Sequence, residues 1–148
     1  MSTVNLNINK SKTIPSEYYY SKKKFEIIKN RIFNTHWQLI CDEKQLQNHG
    51  DVFPYIFMDN FIEEPLLLIN NNNKIYSLTN VCTHRGNILV ENKCNVKNGI
   101  RCRYHGRKFK LCGQFQFMPK CEDIENFPSE SDNLKSISCE KWKQFYFT

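Results

Sequence analysis

Two short segments of the 148-residue chain concentrate side chains that bind metals. The first is CTHRG at residues 82–86, and the second is CRYHG at residues 102–106. Each segment supplies one thiol and one imidazole, and the glycine after each histidine allows backbone conformations that bring loop amides close to a bound group. Seventeen residues separate His84 from Cys102, which is enough to run up and back through two strands. The segments can therefore form two loops that face one another across a metal centre.

Two thiolates and two imidazoles fit either a tetrahedral zinc ion or a [2Fe–2S] cluster whose second iron is held by histidines. A Cys2His2 zinc finger takes its cysteines from one motif and its histidines from another, whereas each loop here carries one of each. The mixed arrangement is the Rieske pattern. In that pattern Cys82 and Cys102 hold one iron, and the other iron is held by His84 and His105. The spacing favours the cluster, and zinc stays open as the alternative.

At these residues the sequence resembles the Rieske iron–sulfur family, and specifically the N-terminal domain of the large (alpha) subunit of ring-hydroxylating oxygenases. Cytochrome bc-type Rieske proteins have one further cysteine in or beside each loop, and the two form a disulfide. The chain has Asn87 and Tyr104 at those positions. The oxygenase branch carries Arg after the first histidine and Tyr before the second, which matches Arg85 and Tyr104.

The resemblance extends over most of the chain, from about Ile14 to Phe147. The segment from Ile14 to Trp37 resembles the N-terminal arm of the oxygenase subunit, which stand-alone Rieske ferredoxins lack. Two positions depart from the family pattern. Arg107 stands where the family commonly has Trp, and Cys112 stands where it commonly has Asp or Asn. Neither position is a ligand.

The resemblance implies an oxidoreductase component that passes single electrons from a reductase or ferredoxin toward a mononuclear non-haem iron. Such an iron is held by two histidines and a carboxylate. The chain has four histidines, and the two outside the loops, His36 and His49, lie on the N-terminal side. We therefore expect the mononuclear Fe(II) in a catalytic oxygenase domain or subunit outside this chain, with homo-oligomerisation also possible.

Two other functions are kept as alternatives. One is a stand-alone Rieske ferredoxin-like carrier, which the N-terminal arm argues against. The other is a truncated oxygenase remnant, since the sequence stops at Thr148 directly after an apolar run.

The composition of the chain limits the class of protein to which it can belong. Hydrophobic residues make up 40% and charged residues 24%, with 21 Lys and Arg against 15 Asp and Glu, as in ordinary globular domains. No stretch approaches the roughly 18 apolar residues of a membrane span, and the first residues lack signal-peptide character. Seven cysteines without an export signal argue against a disulfide framework. No nucleic-acid-binding module is recognisable. We expect a cytoplasmic protein with no membrane or nucleic-acid partner.

Hydrophobic periodicity predicts the elements that position the two loops. We expect a flexible leader at 1–13, an N-terminal arm with a short helix at 14–36, and a Rieske domain at 37–148. Ser21 is the predicted N-cap of the helix, and Asn34 ends it. The rest is predicted to be mainly β, a Rieske-type antiparallel β-sandwich with a two-loop cluster-binding subdomain. Strand signals lie at 37–41, 52–58, 65–69, 74–78, 134–139 and 142–147.

Other conspicuous residues have simpler interpretations. The asparagine run at 70–73 is discounted as a compositional bias, although it also indicates a hairpin loop. A second hairpin is expected around residues 112–113. The remaining cysteines are predicted to be small buried thiols, and both tryptophans are predicted to be core residues. Five basic residues near the second loop predict either a solvated face or a docking surface for an acidic electron donor: Arg101, Arg103, Arg107, Lys108 and Lys110.

Overall fold

The structure is a computed structural model that describes residues 5–121 and 124–148. The first four residues of the predicted leader lie outside this range. The chain divides into two compact units, Met1–Gln38 and Leu39–Thr148. None of the helices in the described residues is both long and apolar enough to cross a membrane.

The first unit is helical. A 3-10 turn at Ile8–Lys10 precedes helix α1 at Glu17–Tyr20 and helix α2 at Lys22–Ile28. The Ser21 hydroxyl caps α2 by accepting a hydrogen bond from the Lys24 backbone N–H, as the sequence predicts. A π-helical turn at Lys29–Phe33 follows.

The second unit is built from antiparallel strands in three sheets, so the mainly β prediction is confirmed. The strands are β1 Leu39–Asp42, β2 Asp51–Phe57, β3 Glu64–Asn71, β4 Lys74–Thr79, β5 Cys94–Asn95, β6 Ile100–Arg101, β7 Lys108–Phe109, β8 Phe115–Phe117, β9 Ser136–Ile137, β10 Glu140–Trp142 and β11 Phe145–Phe147. Strands β1, β11 and β10 form one sheet, in that order, and β5, β2, β3, β4 and β9 form the central sheet. The third sheet has the order β6, β7, β8. Two 3-10 turns, Glu43–Leu46 and Glu130–Asp132, complete it.

Strand β3 is the centre of the fold because both of its faces are covered. Leu67 and Ile69 belong to a core cluster that also contains Phe109 and both loop cysteines. Leu68, with its side chain on the opposite face, packs in a second cluster with Tyr146 of β11. All three β3 side chains are fully buried, and each such burial contributes about 1.5–3 kcal/mol. The loop cysteines therefore lie within the main hydrophobic core.

Both predicted hairpins are present. Strands β3 and β4 pair through Asn71 and Lys74, and the turn residues Asn72 and Asn73 have φ of 52° and 68°. Such positive φ values suit asparagine better than most residues. Discounting the run as compositional bias was wrong for Asn70. Its side chain is buried and bonds the Leu46 carbonyl at 2.7 Å and the Asn73 N–H at 2.8 Å.

The second hairpin joins β7 and β8. Gly113 has a φ of +87°, and a Cβ there would come within 2.8 Å of the Leu78 side chain. The turn closes through a bond of 2.8 Å from the Lys110 N–H to the Gln114 carbonyl. Cys112 therefore stands in this turn without preventing its closure.

The core prediction was wrong for both tryptophans, since Trp37 is 53% exposed and Trp142 is 62% exposed. Trp37 belongs to the first unit, which has no buried residue in its described part. Trp142 lies on β10, an edge strand of its sheet. The run predicted as one strand at 142–147 is interrupted: it holds the last residue of β10, a turn at 143–144 with Lys143 at a φ of 54°, and the whole of β11.

Candidate metal centre

The first loop, between β4 and β5, is held in a tight turn by its own backbone. The Cys82 N–H donates to the Asn87 carbonyl at 2.8 Å, and the Gly86 N–H donates back to the Cys82 carbonyl at 3.0 Å. Gly86 has a φ of +67°, a conformation that glycine adopts without steric cost. The turn thus presents Cys82 and His84 from one compact segment.

The second loop, between β6 and β7, repeats this pattern. The Cys102 N–H donates to the Arg107 carbonyl at 2.8 Å, and the Gly106 N–H donates to the Cys102 carbonyl at 3.1 Å. Gly106 has a φ of +77°. The matching residue types at 82–86 and 102–106 therefore fold into matching turns.

The two loops bring all four predicted site residues together as two pairs. Cys82 and Cys102 are 3% and 2% exposed and lie in the same core cluster. The imidazole rings of His84 and His105 are 4.8 Å apart between centroids, at an angle of 72°. One pair is a buried thiol pair, and the other is a partly exposed imidazole pair.

This arrangement fits a two-iron cluster. Within residues 5–121 and 124–148, no three His, Cys, Asp or Glu side chains surround one metal-ion position. A Rieske cluster needs two separate pairs, two thiolates on one iron and two imidazoles on the other. The Nδ1 atom of His105 is buried without a hydrogen-bond partner among the described residues. A buried ring nitrogen of this kind suits a metal ligand, because orphaned polar atoms are costly.

The local electrostatics follow from burial. Burial raises the pKa of the Cys82 thiol, and the neighbouring Cys102 adds to this. Burial and the neighbouring His105 lower the pKa of His84. A neutral imidazole is the form that binds metal, whereas a thiol must lose its proton on binding.

Tyr104 covers part of the imidazole pair. Its ring lies 3.7 Å from the His105 ring between centroids, at an angle of 36°. Tyr104 is itself 58% exposed. The aromatic ring therefore stands between His105 and solvent on one side of the loop.

Arg107 does not belong to the basic face that the sequence predicts. It is 3% exposed and forms an ion pair with Asp132, with 2.8 Å between Nη2 and Oδ1. The acid lies 25 residues further along the chain, so no local pattern could pair the two. Arg101, Arg103 and Lys110 are exposed, and Lys108 is partly exposed.

The bystander cysteines also differ from the prediction, because none of the five is fully buried. Cys94 is exposed, and the others are intermediate: Cys41, Cys112, Cys121 and Cys139. Cys41 and Cys94 lie on the edge strands β1 and β5, and the other three lie outside the strands. The two remaining histidines lie outside the two loops and form hydrogen bonds with the backbone. His36 bonds to the Ile32 carbonyl, and His49 accepts from the Asn72 N–H.

Comparison with known proteins agrees with this geometry. Residues 36–128 match the model of the Rieske [2Fe-2S] domain. The chain is 32% identical over 136 residues to the carnitine monooxygenase oxygenase subunit of Escherichia coli K12, covering 91% of this chain and 35% of that protein. It is 30% identical over 109 residues to the large oxygenase component of the naphthalene 1,2-dioxygenase system of Pseudomonas putida, covering 72% and 24%.

A solved structure shows the same fold. The quaternary ammonium Rieske monooxygenase in complex with L-carnitine superposes with a TM-score of 0.83 at 28% identity, covering 93% of this chain and 38% of that chain. The chain thus spans about a third of the length of its carnitine monooxygenase relatives. Together with the paired loops, these matches show that the chain belongs to the Rieske [2Fe-2S] domain family, with homologues among the oxygenase subunits of Rieske oxygenases.

Proposed function

We propose that this chain is the electron-transfer domain of a Rieske oxygenase, with Cys82 and Cys102 holding one iron and His84 and His105 the other. The observation that carries this proposal is the buried thiol pair beside a partly exposed imidazole pair. When bound, a [2Fe–2S] cluster with this ligand set supplies one-electron transfer at a potential above that of all-cysteine plant-type ferredoxins.

The four proposed ligands differ in their exposure to solvent. Cys82 and Cys102 lie in the main hydrophobic core, which keeps water from the thiolate side. His84 and His105 are partly exposed, so electrons enter and leave on the imidazole side. The outer ring N–H of a metal-bound histidine normally donates to a carboxylate, carbonyl or water. A partner surface that offers an acceptor there would dock directly against the imidazoles.

The positive charge near the second loop supports docking of an electron donor with an acidic surface. Arg101 and Arg103 are exposed on the second loop and its flank, and the chain carries a formal charge of +6. Opposite charge on a reductase or ferredoxin would steer the encounter, and this effect weakens as salt rises. We propose this basic surface as the docking site for the donor.

For the whole protein we propose an oxygenase with a mononuclear Fe(II) in a catalytic domain or partner subunit. The carnitine monooxygenase subunits match 91% of this chain, whereas the naphthalene dioxygenase component of Pseudomonas putida matches 72%. This difference favours a monooxygenase of the quaternary-ammonium type over a dioxygenase of aromatic rings.

The proposal is tested by the metal content and EPR spectrum of the purified protein. We expect two irons and two sulfides per chain and, after reduction, a signal with the low average g-value of Rieske centres. His84→Ala and Cys102→Ala should abolish the signal. His36→Ala and Cys94→Ala remove an exposed histidine and an exposed cysteine outside the site, so they should retain it. Stoichiometric zinc, or a protein without iron and sulfide, would overturn the assignment.

A further inference from the structure

Arg107 connects three parts of the second unit that are distant in sequence. It follows the second loop directly, and its Nη1 donates to the Thr83 hydroxyl in the first loop at 2.7 Å. Its Nη2 donates to Asp132 at 2.8 Å. The Thr83 hydroxyl in turn donates to the Asp132 carbonyl at 2.8 Å. The guanidinium therefore closes a ring of bonds that joins both loops to the turn at Glu130–Asp132.

Asp132 is itself fixed in place. Its Oδ2 accepts from the Ser129 N–H at 2.8 Å and from the Ser129 hydroxyl at 2.9 Å. The next residue, Asn133, accepts from the Phe115 N–H at 2.7 Å. The acid that pairs with Arg107 is thus held by bonds from both sides of its turn and has little freedom to move away.

The guanidinium is also enclosed by aromatic rings. The Arg107 Cζ atom lies 5.0 Å from the Phe115 ring centroid and 5.5 Å from that of Phe127. These rings pack edge to face with each other. Cation–π contacts gain strength when they are desolvated, and only 4% of the Arg107 side chain is exposed. The positive charge is therefore permanent, oriented and poorly screened by water.

The position of this charge relates it to all four proposed ligands. Thr83 lies between Cys82 and His84 in sequence. Arg107 is two residues after His105, and its carbonyl accepts from the Cys102 N–H at 2.8 Å. A fixed cation beside a redox centre favours the state that carries the additional negative charge. A paired carboxylate offsets part of this effect, so the net influence depends on both partners.

We propose that Arg107 is a positioning residue that clasps the two cluster loops and raises the reduction potential of the bound cluster, with Asp132 opposing this effect. The inference rests on the proposed function, because it needs a cluster at the four ligands. It makes Arg107 and Asp132 a tuning pair for the electron carrier.

The test measures the midpoint potential by protein-film voltammetry at one neutral pH, after iron, sulfide and EPR have confirmed a cluster in each protein. Arg107→Met removes the charge and should lower the potential. Arg107→Lys keeps the charge and should stay closer to the wild type. Asp132→Asn leaves the cation uncompensated and should raise the potential.

Opposite shifts distinguish electrostatic tuning from a structural role. If the pair only held the loops together, Arg107→Met and Asp132→Asn would move the potential in the same direction or not at all, and Arg107→Lys would behave like Arg107→Met. Each of these results overturns the inference. If Arg107→Met does not keep its cluster, the midpoint potential of Asp132→Asn still distinguishes the two roles, because only electrostatic tuning predicts that it rises. A wild type without a cluster would instead refute the proposed function.

Discussion

The side-chain amide of Asn80 exchanges two hydrogen bonds with the backbone of Val90, across the base of the first loop. Its Nδ2 donates to the Val90 carbonyl at 2.7 Å, and its Oδ1 accepts from the Val90 N–H at 2.9 Å. Asn80 is 4% exposed and Val90 is 8% exposed. Asn80 directly follows β4, so its amide continues the pairing where the strand ends. The loop that carries Cys82 and His84 is therefore anchored at its base.

Asn80→Ala should loosen this anchor. It leaves two buried backbone groups of Val90 unpaired, and each costs about 1–3 kcal/mol. We expect faster amide hydrogen exchange at Val90, measured by mass spectrometry with residue-level fragmentation. The Leu89 N–H bonds the Asn80 backbone carbonyl, which the substitution keeps, so Leu89 should change less. Asn92→Ala, at an exposed position, is the matched control. Equal exchange at Val90 in both variants would contradict the anchoring role.

Replacing either of two glycines with positive φ by alanine should destabilise the fold, but by different amounts. A Cβ at Gly99 would lie 2.4 Å from the Phe109 carbonyl oxygen, whereas a Cβ at Gly86 meets nothing within 4 Å. Gly86→Ala should lower the free energy of unfolding by about 1–2 kcal/mol, which is the cost of a left-handed backbone conformation alone. Gly99→Ala adds a collision with the backbone of Phe109 in β7 and should lower the free energy of unfolding clearly more. Urea unfolding midpoints of the two variants check the order, and a larger loss for Gly86→Ala would show it to be wrong.

Asp51 should make the second unit sensitive to acid. Burial alone would raise the pKa of Asp51, but bonds from Asn95 and Asn48 outweigh it and hold the pKa below its ordinary value of 3.8. A carboxyl group whose native pKa is depressed stabilises the fold above its unfolded pKa. This contribution is lost as the pH falls through the native pKa.

The corresponding experiment compares wild type with Asp51→Asn in urea unfolding at a series of pH values. The advantage of the wild type should be constant near neutrality and shrink below about pH 4. Carboxyl-carbon NMR of Asp51 provides a direct check of the depressed pKa. An advantage that persists unchanged into stronger acid would contradict the prediction.

Asn73→Gly should stabilise the β3–β4 hairpin or leave its stability unchanged. Asn72 and Asn73 both have positive φ, and Asn-Gly is the preferred pair in two-residue turns of this kind. The Asn73 N–H that bonds Asn70 is retained in glycine. Asn73→Val keeps that N–H but places a β-branched residue at positive φ, so it should lower the unfolding midpoint. Similar midpoints for Gly and Val would show that φ is not limiting at this turn.

The sequence predicts those features of the fold and the site that depend on interactions between neighbouring residues. The two loop motifs repeat at 82–86 and 102–106, and their matching turns bring the four proposed ligands together. The Ser21 cap and the hairpin at Asn72 and Asn73 also depend on neighbours only a few residues away, and both are present in the structure.

The features that sequence patterns missed depend on distant partners. Arg107 has neighbouring basic residues in the sequence, and only the fold brings Asp132 against it. Asn70 is one of four consecutive asparagines, and its burial depends on Leu46, 24 residues earlier. Trp142 is a residue type expected in a core, but its strand lies at a sheet edge, where the side chain stays 62% exposed with the Lys143 ammonium 4.9 Å from its ring centroid.

The repeated hydrogen-bond pattern of the two turns has a consequence for assembly. With the proposed ligands, each iron is held by one residue from each turn, so neither turn alone can retain half of the cluster. The bound group then acts as a cross-link between two chain segments, much as a disulfide does. Its loss would remove this cross-link from both turns at once, so cluster insertion would be an all-or-none step in linking the two turns through their ligands.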